Sequence, residues 1–185
     1  MKTVARNVVI ALTLALSVVA FAQDAEPGSS SGSSVMAKNW DAQVYGDVGL
    51  HFTSISLGDF GSASNTNFGL TLGGKFTYRI SDSLSVGPLA NLSLVFGDGS
   101  TAVPITVAGA ITVDKVLPVE LSGGLGFTLY TGLAGATPAG LAIVAQALYP
   151  LPSMPNLGIH AQLVENILSD SVNLFQLTAG VAYKF

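Results

Sequence analysis

The stretch FQLTAGVAYKF, residues 175–185, decides the fold class of this chain. Its residues alternate between two sets, and side chains on an extended strand point to opposite faces in turn. An aromatic ring at the end of such a strand is typical of a boundary between apolar and aqueous surroundings. The stretch therefore predicts a strand with one apolar face that ends at this kind of boundary. The apolar face carries Phe175, Leu177, Ala179, Val181, Tyr183 and Phe185, and the other face carries Gln176, Thr178, Gly180, Ala182 and Lys184.

The same period of two recurs along the rest of the chain, so we predict eight strands in all. Each has one apolar face, and each is long enough, or nearly so, to cross a bilayer at a tilt. The eighth strand follows a loop at 165–171. The seven earlier strands are predicted at residues 42–54, 67–80, 84–96, 102–113, 119–131, 139–149 and 157–164.

Composition indicates which face of these strands meets which solvent. Charged residues make up only 10% of the chain, against about 25% in soluble domains. A soluble barrel would therefore present too few charges to water. In a membrane, a closed ring of strands would pair every backbone N–H and C=O group. Its apolar side chains would then contact lipid, and its small and polar side chains would lie inside. We predict an all-β transmembrane antiparallel up-and-down barrel of eight strands over residues 40–185. Inside it should lie the ionisable residues of the predicted strands, Asp47, His51, Lys75, Arg79, Glu120, His160 and Lys184.

The N-terminal residues have the pattern of an export signal. Lys2 and Arg6 precede an apolar run at 8–21, and Ala20 and Ala22 are small residues where a signal peptidase cuts. The run is shorter than the roughly 20 residues of a spanning helix. We predict a signal peptide at 1–22 and a flexible Ser- and Gly-rich linker at 23–39.

Several classes of function are disfavoured by the residues present. The 7 basic and 11 acidic residues give a net charge of −4, which leaves no basic surface for nucleic acid. The chain has no cysteine, so it forms no disulfide and no thiolate metal site. His51 and His160 are the only histidines, and neither has the sequence surroundings of a metal site or of a nucleophile and its base. We expect no enzyme activity, no metal and no cofactor.

The C-terminal stretch resembles the closing strand of bacterial outer-membrane β-barrels. That strand has a polar residue, a glycine and two hydrophobic residues at set places, here occupied by Thr178, Gly180, Tyr183 and Phe185. Nearly all of the chain that follows the predicted signal peptide resembles the small eight-stranded family, of the OmpA-barrel or OmpX-like type. The resemblance implies an outer-membrane location, periplasmic termini and contact with outer-membrane lipids. It also implies that the four residues are an insertion signal for the barrel-assembly machinery. We expect a monomer.

The interior of an eight-stranded barrel is just wide enough for side chains to fill it. We therefore expect a structural role in the envelope, with the lumen plugged by a polar network in which Asp47 and Glu120 approach Lys75 and Arg79. Small inward residues leave room for an alternative, a narrow porin-like channel for small solutes or ions. A surface-binding or adhesion barrel is a third class, which the small outer loops disfavour. The network is predicted to contain Asp47, His51, Lys75, Arg79, Glu120 and His160.

Overall fold

The computed structural model describes residues 39–56, 62–97, 100–114, 118–131, 138–168 and 172–185. The predicted signal peptide and all but the last residue of the predicted linker lie outside these ranges. Eight strands make up nearly all of the described chain. They are β1 (Trp40–Ser56), β2 (Ser62–Ser81), β3 (Leu84–Gly97), β4 (Ser100–Val113), β5 (Glu120–Thr131), β6 (Ala139–Leu151), β7 (Met154–Leu168) and β8 (Val172–Lys184).

Each strand pairs antiparallel with its neighbour in sequence, and β8 pairs with β1 to close the barrel. The closing register sets Asp47 opposite Gly180 and Phe52 opposite Phe175. The predicted fold, eight strands in one up-and-down ring, is confirmed. No helix in the described ranges is long and apolar enough to cross a membrane.

Most large apolar side chains point outward and most polar ones inward, as the sequence predicted. The inner face is less uniformly small and polar than predicted, since Leu89, Val144 and Leu174 are buried in the lumen. Leu125 and Phe127 are 64% and 72% exposed, whereas Lys75 and Glu120 are 5% and 8% exposed. One predicted outward residue, Val103, is buried. The exposed outer surface is therefore a belt of Leu, Val, Ile and aromatic side chains.

Aromatic side chains cluster at both ends of this belt. Trp40 stacks on Phe76 with ring centroids 4.6 Å apart and meets Tyr78 edge-on at 4.9 Å. At the opposite end, the rings of Phe52 and Phe175 are 6.0 Å apart. Trp and Tyr side chains at the end of an apolar belt are typical of a membrane interface, whereas the pair at the loop end consists of two phenylalanines.

The connection between β6 and β7 is shorter than predicted. The proline-rich residues 150–156 were expected to form a seven-residue turn, but β6 ends at Leu151 and β7 begins at Met154. Pro150 pairs with Gly158, and the register shifts next to it. Proline is tolerated at strand ends and at bulges, where its missing N–H costs no ladder bond. Strand pairing therefore overrides the turn signal here.

The C-terminal half of β7 corrects a second expectation. Residues 165–171 were predicted to be a loop, but β7 continues to Leu168. Glu165 lies opposite Ile143 and Phe175 and is exposed on the outward face. Because Glu165 was placed in a loop, it was not among the strand charges predicted to face inward, and the longer β7 puts it on the outward face. The alternation continues beyond it, since Asn166 and Leu168 are buried and Ile167 is exposed.

Glu165→Leu should stabilise the barrel in a bilayer by a few tenths to about 1 kcal/mol, because a carboxylate on the lipid-facing side near an interface is mildly unfavourable. Urea unfolding of the protein inserted in lipid vesicles measures the change. Glu165→Gln, which keeps the shape and a polar group, should change stability less. A clear loss of stability in the Leu variant would show that the carboxylate has a favourable partner.

Candidate functional site in the barrel lumen

The barrel has a terminal end, where β1 begins and β8 ends, and a loop end, where β1 ends and β8 begins. Inside the terminal end lies a group of charged side chains. Lys75 Nζ contacts Glu120 Oε1 at 2.7 Å and donates to Ser122 Oγ at 2.6 Å, and Lys184 Nζ donates to Glu120 Oε2 at 3.1 Å. We call the group the terminal ion cluster. It comprises Asp41, Lys75, Arg79, Asp114, Glu120 and Lys184.

Arg79 completes this cluster with partners other than those predicted. Its Nη2 lies 2.8 Å from Asp41 Oδ2 and 3.8 Å from Asp114 Oδ2. Asp47, which was expected to approach Lys75 or Arg79, lies six residues along β1 from Asp41, roughly 20 Å at the rise of a strand. Thus the structure brings together Lys75 and Glu120, but it places Asp47 elsewhere. The cluster holds three acidic and three basic side chains, so its charges balance.

Asp47 pairs instead with His160 in the middle of the lumen. His160 Nδ1 donates to the Asp47 carboxylate, with its oxygens 2.8 and 3.0 Å away. Thr178 Oγ1 also donates to Asp47, at 3.3 Å, and the Tyr45 ring stacks on the imidazole at 4.2 Å. Both members of the pair are almost completely buried. The buried carboxylate is therefore matched by two donors.

A glycine explains how residues on two non-adjacent strands meet. Gly180 of β8 is the register partner of Asp47 on β1 and of His160 on β7. A Cβ on Gly180 would lie 2.7 Å from Asp47 Oδ1 and 2.0 Å from the Gly46 carbonyl oxygen. Because Gly180 has no side chain, Asp47 and His160 can reach each other across β8.

A layer of neutral polar side chains surrounds this pair. Gln146 Nε2 donates to the Tyr45 hydroxyl and to Gln162 Oε1, each at 2.7 Å. Asn91 Nδ2 donates to Gln162 Oε1 at 3.1 Å, and the Tyr45 hydroxyl donates to Asn91 Oδ1. These four residues were not among the predicted site residues. The only feature of the sequence that pointed to them was their position on the inward face of the alternating strands.

His51 lies nearer the loop end and is fully buried. Neither of its ring nitrogens has a hydrogen-bond partner among the described residues. The imidazole packs over Gly69, where a Cβ would lie 2.3 Å from His51 Nε2 and 2.9 Å from the Leu94 carbonyl oxygen. Gly69 is therefore required for this close approach.

Gly69→Ala should destabilise the barrel by about 1–3 kcal/mol, the range for overpacking a filled core. The new methyl must displace a buried imidazole or a strand backbone. Gly109→Ala is the matched control, because a Cβ at Gly109 has nothing within 4 Å. Comparing the urea midpoints of both variants in the same lipid tests the packing. Equal midpoints would mean that His51 does not occupy this position.

The loop end of the lumen is closed by apolar side chains, in contrast to the terminal end. Five buried residues from β3, β4, β5, β7 and β8 pack together there, and we call them the loop-end apolar cluster. Below it, hydrogen bonds join Thr71 to Ser93 at 2.9 Å and Thr106 to Thr128 at 2.6 Å. The loop-end apolar cluster consists of Val95, Ala102, Tyr130, Leu168 and Leu174.

Little free volume remains at the charged end of the lumen. The cavity within the terminal ion cluster has a volume of about 10 Å³ and is lined by Gln43 and Thr112 as well as the charged residues. That is close to the minimum that holds one water molecule. In the described part of the chain, no three His, Asp or Glu side chains converge as metal ligands would.

The four residues of the predicted insertion signal divide between the two faces of β8. Thr178 and Gly180 point into the lumen and contribute to the surroundings of Asp47. Tyr183 and Phe185 are exposed on the outer surface at the terminal end, with ring centroids 5.0 Å apart. Their recognition by the barrel-assembly machinery remains a prediction.

Comparison with solved structures identifies the architecture. The chain superposes on Ail, the attachment invasion locus protein of Yersinia pestis, with a TM-score of 0.51 and 16% identity, covering 78% of this chain and 99% of Ail. Neisserial surface protein A (NspA) gives 0.52 and 21%, with coverage of 78% and 97%. This is the fold of the small eight-stranded outer-membrane barrels. The architecture implied by the sequence resemblance is thus confirmed. No protein-family model matches the sequence, and no curated protein matches it.

Proposed function

We propose that this chain is an integral β-barrel of the bacterial outer membrane with a structural role in the envelope and a lumen closed by its own side chains. The filled lumen is the observation that carries this proposal. Ion pairs fill one end, hydrogen-bonded side chains the middle and apolar packing the other end. The interior of an eight-stranded barrel is just wide enough for such side chains to fill it.

The outward belt supports the membrane location. Exposed apolar side chains at this density would be an aggregation hazard in water, whereas hydrocarbon would cover them at no cost. The predicted signal peptide, periplasmic termini and recognition of the C-terminal strand by the assembly machinery belong to the same proposal. The working partners are then outer-membrane lipids, and the barrel acts as a monomer.

A catalytic role is not favoured by the geometry of the Asp47–His160 pair. Asp47 orients His160 as a carboxylate orients a catalytic base. However, no hydroxyl or other nucleophile contacts His160 Nε2 among the described residues. Both side chains are also almost completely buried, so a substrate cannot reach them.

Membrane fractionation combined with heat-modifiable gel migration tests location and closure together. The mature protein should be found in the outer-membrane fraction and migrate faster unheated than boiled. Planar-bilayer recordings of the refolded protein should show no conductance steps. Steps of fixed size from the unmodified protein would instead establish the alternative, a narrow channel for small solutes or ions.

A further inference from the structure

The two ends of the lumen are closed by different chemistry, and this difference locates the barrier to permeation. At the terminal end, Arg79 and Lys184 each retain 29% exposure of their side chains, so water reaches the charged groups. Long charged side chains that are already in contact with water can move without losing their hydration. The terminal ion cluster is therefore a poor seal.

Unpaired polar atoms continue from this end into the lumen. Gln43 Oε1 and Asp114 Oδ1 have no protein partner among the described residues, and both residues line the water-sized cavity. Farther in, His160 Nε2, Gln162 Nε2 and Gln176 Nε2 are likewise buried without a protein partner. Buried polar groups are nearly always hydrogen-bonded, to water where protein groups are missing. These atoms indicate internal hydration well past the ion cluster.

Apart from the Tyr130 hydroxyl, the loop-end apolar cluster offers water no hydrogen-bonding side chain. Leu174 and Val95 are buried there with side chains that cannot hydrogen-bond water. Narrow apolar constrictions in pores exclude water and ions by dewetting. A second apolar group, in the middle of the lumen, is a weaker candidate for such a constriction. Its residues come from only four strands, and the lumen at β1, β2 and β8 is lined by polar side chains. That second group comprises Leu89, Ala108, Ala110, Val144 and Val164.

We propose that the loop-end apolar cluster is the barrier to permeation, and that the polar lumen beneath it is hydrated from the terminal end. This inference rests on the proposed closed membrane barrel and adds the position of the barrier along the lumen. Making the loop-end cluster polar should open a path for small ions. Removing charge from the terminal end should not, because the apolar seal stays intact.

Planar-bilayer conductance of three double variants tests this location. Leu168→Ser/Leu174→Ser should give conductance steps that the unmodified protein lacks. Lys75→Met/Glu120→Leu, which removes an ion pair without changing net charge, should remain silent. Leu89→Ser/Val144→Ser is the matched control, since it makes the same chemical change in the middle of the lumen, and it should also remain silent.

The outcomes separate the two proposals. Conductance of the unmodified protein would overturn the closed barrel itself. A silent unmodified protein with a conducting Lys75→Met/Glu120→Leu variant would place the barrier at the terminal end and overturn the inference. A folded but silent Leu168→Ser/Leu174→Ser variant would also overturn it. Heat-modifiable migration establishes folding, and the single Leu174→Ser variant, assayed by solute uptake into liposomes, replaces the double variant if that does not fold.

Discussion

Lys75→Ala should lower the free energy of unfolding by about 3–5 kcal/mol, the cost of leaving a buried charge without its partner. Glu120 would lose the ammonium group 2.7 Å away, and Ser122 would lose a donor at 2.6 Å. Lys184 still reaches Glu120 at 3.1 Å, so the loss should fall toward the lower end of that range. The single tryptophan, Trp40, provides a fluorescence signal for urea unfolding in lipid vesicles.

The Lys75→Met/Glu120→Leu variant is the control for this prediction. Replacing both members of a buried pair with apolar residues of similar size is often neutral or stabilising. The double variant should therefore be clearly more stable than Lys75→Ala. If both variants lose the same amount, the ion pair is not the source of the effect. If Lys75→Ala loses nothing, Lys75 is not buried against Glu120.

Leu125→Arg should destabilise the barrel in a bilayer by about 2–4 kcal/mol, the cost of a basic residue on the lipid face at the midplane of a membrane barrel. Leu125 lies at the middle of β5 and is among the most exposed apolar side chains. The same unfolding assay measures the loss, after heat-modifiable migration shows that the variant inserts.

A second arginine variant serves as a control for depth. Glu165→Arg places the same side chain near the aromatic pair at the loop end, opposite Phe175. There the expected cost is only about 0–1 kcal/mol. Equal costs at the two positions, or no cost at Leu125, would mean that the outward face does not contact hydrocarbon.

The fold could be predicted from sequence because alternation is a local property. Parity along a strand assigns each side chain to one face, and a charge such as Lys75 then fixes which face is inward. Strand ends were less predictable. Pro150 and Pro155 suggested a long turn, and Glu165 suggested a loop, but pairing with the neighbouring strands continues through these positions.

Apart from the approach of Lys75 to Glu120, the contacts inside the lumen were not predicted, because parity gives a face and not a position around the ring. Asp47 and His160 are 113 residues apart on strands that do not pair, and they meet only because Gly180 lies between them. Arg79 forms an ion pair with Asp41 because both residues lie at the terminal end. Such pairs depend on the register of all eight strands, which the sequence pattern leaves open.

Contact between the outward face and lipid hydrocarbon is the central claim, and tryptophan quenching tests it most directly. Phe127→Trp in a Trp40→Phe background places a single indole at an outward position that is 72% exposed. In vesicles with bromine-labelled acyl chains, its fluorescence should be strongly quenched, whereas a water-soluble quencher should have little effect. Quenching by the aqueous reagent alone would contradict the account.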